Sequence, residues 1–348
     1  MLFIISFHYA LKAGWDYSNA SLINKITADY FIMLGEVGVN CFILISGYFL
    51  IKGSFSKKKL LLLLLEVQFY NYLSLFMVSH CKLDVFLSSL TISNVFPTLF
   101  GVYWFATAYI LLYIFSPYLT KSFFALSKKD VRKLIVTLFL IFSLIPSFMG
   151  LTKGASFGFL GYSEGFLNYN RFIWMVTLFF IASYIRIYDS DKPFLFPARF
   201  YFMLTFLLLI ILGLFFLLTE LHPNLLSPFG INSAQIFWPP NSLITLALSL
   251  SLFMGFQKLK IGSISLVNIM ASTTFGIYLL HDGHLKTVLW NNIFNTNTMI
   301  GRDDLAIQII IATLSIFVFG ACFDLMRQQA EKIVLRLCAF LEARNERL

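Results

Sequence analysis

The chain has 348 residues, 59% of them hydrophobic and only 12% charged, with a formal net charge of +9. Soluble domains carry about 25% charged residues, so the composition excludes a water-soluble globule. The basic excess does not indicate nucleic acid, since no soluble segment pairs a basic face with stacking aromatics; it reads as the Lys and Arg bias of membrane loops.

Apolar stretches follow one another at roughly 1–13, 31–51, 60–79, 97–119, 133–150, 171–187, 200–219, 241–257, 264–281 and 305–326. Segments such as IMLGEVGVNCFILISGYFLI and FYFMLTFLLLIILGLFFLLT have the ~20 residues needed to cross about 30 Å of hydrocarbon. The expected fold is an all-α integral membrane bundle of about ten transmembrane helices, forming one domain over residues 1–326. The first stretch, at roughly 20 Å of helix, is short for a crossing and reads as truncated at its N-terminus. Residues 327–348 place Ile333, Leu337, Phe340 and Leu341 on one helical face. They are expected to form an amphipathic helix on the cytoplasmic leaflet, with a plain extension of the last span as the alternative.

Ten spans put both termini on one side. The loops on that side, with the tail, hold 19 of the 26 Lys and Arg residues, including Lys57, Lys58 and Lys59. The other side keeps Lys12, Lys25, Lys82, Lys153, Arg171, Lys286 and Arg302. The bias predicts cytoplasmic termini. Cys41, Cys81, Cys322 and Cys338 are scattered without a CxxC, so neither a disulfide framework nor a zinc site is indicated. The HDGH segment at 281–284 is a weak metal signal, and no metal is expected.

Polar groups inside spans are costly and usually face a cavity or a partner. His8 lies in the first span; Glu36 and Asn40, four apart, share a face of the second. Tyr103 and Trp104 open the fourth, Arg171 opens the sixth and His281 ends the ninth. With the spans alternating in direction, His8, Glu36, Tyr103, Trp104, Arg171 and His281 all fall in outer halves, which predicts one outward-facing polar cavity. Simpler roles compete. Tyr103 and Trp104 suit an interfacial aromatic belt, Arg171 a snorkelling anchor and Glu36 the headgroup layer, whereas a mid-span histidine such as His8 has few roles besides function. Glu66, Gln68 and Asn71 in the third span either line a route from the cytoplasm or bond neighbouring helices.

Four segments in order resemble the acyltransferase-3 family of bacterial membrane acyltransferases, which includes stand-alone O-acetyltransferases of surface polysaccharides. GEVGVNCFILISGYFLI is similar to the family's second-helix pattern, and YWFATAYILLYIFSPYL to its fourth. STTFGIYLLHD is similar to its penultimate segment, and FHYA to the end of a first-helix motif in which Arg precedes His. The resemblance runs from His8 to about Trp290. Three positions depart from it. The motif's Arg, eleven residues before His8, would fall before Met1; Asn40 stands where many members have Asp; and Lys286 stands where related sequences often have Arg.

The resemblance implies acyl transfer from cytosolic acyl-CoA, with acetyl-CoA as donor, to a hydroxyl of a capsular or cell-wall glycan or its lipid-linked precursor, in the bacterial cell membrane. His8 would be general base or acyl acceptor and Glu36 would orient it. Arg171 or His281 would stabilise an oxyanion. Asn40, Tyr103 and Trp104 would contact the acceptor, the aromatic pair offering a flat face to a sugar ring. Lys57 to Lys59 would contact coenzyme A phosphates, or simply anchor the loop. The rival reading is a transporter or flippase for a lipid-linked sugar, sharing the cavity but needing no thioester site. A glycan polymerase is disfavoured by the modest outer loops near 151–170, 220–240 and 282–304.

Overall fold

The computed structural model describes residues 1–147, 171–189, 196–222 and 238–345. The expected outer loops near 151–170 and 220–240, and Lys153 and Lys192 with them, lie wholly or largely outside the described residues. Among the described residues the chain is helical with no strand. The first half supplies α1 (Leu2–Lys12), α2 (Leu22–Leu50), α3 (Lys57–Val78), the short α4 (Leu83–Ser88) and α5 (Ile92–Val95), α6 (Trp104–Ala125) and α7 (Lys128–Phe139). The second half supplies α8 (Arg171–Tyr184), α9 (Ala198–Leu221), α10 (Leu243–Gln257), α11 (Ser265–Ser272), α12 (Thr274–Asp282) and α13 (Leu305–Asn345).

Five of these stretches are long and apolar enough to cross a membrane: Leu22–Leu50, Lys57–Val78, Arg171–Tyr188, Ala198–Leu221 and Leu305–Arg336. Their outward faces suit lipid tails; on α9, Met203, Phe206 and Leu214 are all exposed. Helix α2 is the hub. It packs against α1, α8, α9 and α10, while α1 also meets α12 and α13. Met33 and Val37 of α2 are buried against Leu212 and Phe216 of α9 and Leu248 of α10, fixing that side of the hub.

Several elements differ from the sequence expectation for local reasons. Helix α2 begins upstream of residue 31, because the Ser21 hydroxyl accepts from the Asn24 amide and caps it there. The stretch 264–281 is two helices meeting at Thr273. Ser272, Thr273 and Thr274 donate their hydroxyls back to the carbonyls of Ile269, Met270 and Ala271, a pattern that competes with the helix ladder. At 326, where a separate tail helix was expected to begin, α13 does not break; it continues to Asn345.

The continuity of α13 is held by an ionic knot across the expected boundary. Arg327 lies 2.7 Å from Asp324, 2.7 Å from Glu331 and 3.0 Å from Glu66 of α3. Tyr70 donates to Asp324 at 2.7 Å, and Gln328 donates to the same carboxylate at 2.7 Å. Gly276 of α12 is packed so closely here that a Cβ would collide with the Asp324 carboxylate. The knot therefore fixes where α12 sits, and α12 carries His281.

Candidate active site

The site begins with the seating of α1 on α2. A Cβ on Gly35 would overlap Phe7, so the two helices touch through a glycine and Phe7 points at α2. His8, one residue further on, is turned by about 100° and faces α12 instead. There its Nδ1 lies 2.9 Å from Nε2 of His281. Both rings are buried, at 4% and 0% exposure.

The hydrogen-bond chain assigns the protons. His281 Nδ1 lies 2.6 Å from the carbonyl oxygen of Ile277, and a carbonyl only accepts, so Nδ1 carries the hydrogen. In neutral His281 the Nε2 is then an acceptor, and His8 Nδ1 must donate to it. That leaves the Nε2 of neutral His8 with its lone pair free. Asp282 Oδ1 stands 3.6 Å from that nitrogen, placed to pair with it once it is protonated. The series Ile277 carbonyl, His281, His8 and Asp282 thus fixes one ring, its tautomer and a counter-charge.

His8 looks onto a narrow cavity whose other walls include Val39, Phe42, Trp104, Phe105 and Tyr278. Trp104 is held by Arg171, whose guanidinium carbon sits 4.3 Å from the ring centroid. Arg171 is also the cation acting on Glu36. Lys12 and Lys286, both exposed, add positive charge that reaches His8.

The structure brings together most of the residues that the sequence singled out, with different partners for some of them. Glu36 makes no hydrogen bond to His8, because Phe7 rather than His8 faces that part of α2; the carboxylate beside the imidazole is Asp282. Asn40 is wholly buried and its amide is used twice, donating to the Pro240 carbonyl at 2.7 Å and accepting from Trp174 Nε1 at 2.9 Å. It ties α2 to α8 and to the turn before α10, and has little left to offer an acceptor.

Tyr103 is also wholly buried, packed edge-on against Tyr278 with its hydroxyl pressed against Gly283, so its ring gives no face to a sugar. Trp104 does line the cavity. Lys57, Lys58 and Lys59 are exposed at the start of α3, which Ser56 caps. In the third span, Glu66 joins the Arg327 knot. Asn71 donates to the Asn94 carbonyl and its Oδ1 meets His284 Nε2 at 3.1 Å. The two histidines of HDGH therefore serve different partners, and among the described residues no group of three or more metal-binding side chains converges. Sequence reasoning missed Asp282 as a partner of His8 and Tyr278 as a cavity wall, although the two lie four apart and share a face of α12.

A helical bundle with five stretches able to cross a membrane, burying an imidazole beside a carboxylate at a largely apolar cavity, is the architecture of a multi-pass membrane protein. The acyltransferase-3 family model, described as an acyltransferase domain, matches residues 1–325. The chain belongs to that family and is a membrane acyltransferase. No curated protein and no solved structure matches it.

Proposed function

We propose that the protein transfers an acetyl group from cytosolic acetyl-CoA to a hydroxyl of a capsular or cell-wall glycan, or of its lipid-linked precursor, in the bacterial plasma membrane. The proposal includes about ten spans, both termini in the cytoplasm, and contact of Lys57 to Lys59 with the donor's phosphates. The observation that carries the chemistry is the 2.9 Å contact of His8 with His281, which leaves His8 Nε2 free to act as a base.

In the proposed reaction, His8 Nε2 takes the proton of the acceptor hydroxyl as its oxygen attacks the thioester carbonyl carbon. A carbon–oxygen bond forms and the carbonyl oxygen becomes an oxyanion. Collapse breaks the carbon–sulfur bond, and the leaving thiolate recovers the proton from His8 to give free CoA. Asp282, 3.6 Å from His8 Nε2, stabilises the imidazolium in between as a counter-charge, while His281 takes the place opposite the base nitrogen. Arg171, stacked on the Trp104 wall of the cavity, is the polar group where the acceptor would bind.

The test is CoA release from acetyl-CoA by purified protein in detergent with an acceptor glycan, with no gradient and no second compartment. Release that depends on acceptor and disappears in His8→Ala supports the reading. Absence of release with every glycan tried, together with translocation of sugar-lipid in vesicles, would replace it with the flippase.

A further inference from the structure

The cavity beside His8 carries information about the acyl group itself. Besides His8, Tyr278, Trp104 and Met1, its walls are Ile4, Phe7, Val39, Phe42, Phe105 and Phe275, all apolar. The free space is about 20 Å³, close to what one water-sized group requires. Val39, Phe105 and Tyr278 are buried, while Phe42 and Phe275 are half-buried.

The walls also lock one another. Phe42 packs edge-on against Phe105 with centroids 5.4 Å apart, and against Tyr109 at 6.1 Å. Phe105 meets Tyr278 edge-on at 5.6 Å, and Phe275 lies 6.3 Å from Tyr278. Rings joined in this way resist displacement by more than their separate contact areas suggest, so the space does not widen cheaply.

We infer that this cavity receives the acyl group, and that Phe42, Phe105 and Phe275 set its length. The protein therefore accepts acetyl and rejects chains two methylenes longer. The inference rests on the acyl-transfer reading of His8. A thioester carbonyl brought to His8 carries its acyl chain with it, and the neighbouring space has room for a methyl and apolar walls to desolvate it. It holds little more.

The test compares acetyl-, propionyl- and butyryl-CoA as donors in one preparation with a working acceptor. One methylene in an apolar site is worth about 10–200-fold. Acetyl transfer should therefore exceed butyryl transfer by roughly a hundred-fold or more, with propionyl between. Phe42→Ala and Phe275→Ala should each lower the acetyl-to-butyryl ratio by about ten-fold or more. The ratio is independent of how much of the preparation is folded, and Phe42→Leu and Phe275→Leu carry the comparison if an alanine variant does not fold. Butyryl used within ten-fold of acetyl by the unmodified protein, or an unchanged ratio in variants that still transfer acetyl, overturns the pocket while leaving the acyl-transfer reading in place. No CoA release from any of the three donors overturns both.

Discussion

Nδ1 of His8 and Nε2 of His281 stand 2.9 Å apart although 273 positions separate them in the chain. The contact makes His281 the residue that holds the His8 ring, and Asp282, 3.6 Å from its Nε2, is placed to pair with it once it is protonated. His8→Ala should abolish acyl transfer. His281→Ala should lower kcat by about 10²–10⁴-fold, the range that positioned acid–base groups supply. Both variants should insert in the membrane as the parent does. CoA release per milligram of folded protein measures this, and a fully active His281→Ala would remove His281 from the mechanism.

The two carboxylates near the cavity separate by their partners. Asp282→Asn should lower kcat strongly with little change in KM for acetyl-CoA, because the charge matters once the imidazole is protonated. Glu36→Gln should act on acceptor KM, since Glu36 makes no hydrogen bond to His8 and feels the charge of Arg171, which sits over Trp104. Steady-state kinetics with each substrate varied in turn would decide, and equal kcat losses in the two variants would contradict the assignment.

The glycine contact between α1 and α2 should be intolerant of a single methyl. Gly35→Ala forces Phe7 or the helix to shift, and such overpacking costs about 1–3 kcal/mol. Gly262→Ala, where a Cβ meets nothing within 4 Å, serves as the control and should leave Tm in detergent unchanged. A Gly35→Ala protein as stable and as active as the parent would refute the seating argument.

Removing Arg327 would leave Asp324, which is wholly buried, and Glu66 without their cation. Breaking a buried pair from one side costs about 3–5 kcal/mol. Arg327→Ala should therefore reduce the folded yield in membranes sharply, and Arg327→Lys should do so less, keeping the charge but losing the fork that reaches three carboxylates. Fluorescence-detected size exclusion after detergent extraction would show it; equal yields for the parent and Arg327→Ala would sink the prediction.

The membrane class was legible because a run of apolar residues has one cheap solution in lipid. The contacts of His8 with His281 and of Trp104 with Arg171 agree with the shared depth expected of these residues. Pairing within the cluster was not legible. Depth says nothing about rotation around a helix, and whether Phe7 or His8 faces α2 depends on Gly35 being packed against Phe7. Asn40 illustrates the same limit, since a buried amide between two helices reads identically in sequence whether it meets a ligand or Trp174. The continuity of α13 past residue 326 was only the alternative reading of the sequence, for another reason. Arg327 looks like a loop cation until Glu66, far upstream, is seen to reach it.

The wide sequence separation of His8 and His281 has a consequence for biosynthesis. The nascent chain inserts its first helix with an imidazole that has no fixed tautomer and no counter-charge, and α12 is threaded only after most of the polypeptide has left the ribosome. Until then the His8 ring has no partner to hold it. Incomplete chains in the membrane accordingly lack the oriented imidazole, which is assembled only when the last third of the protein is in place.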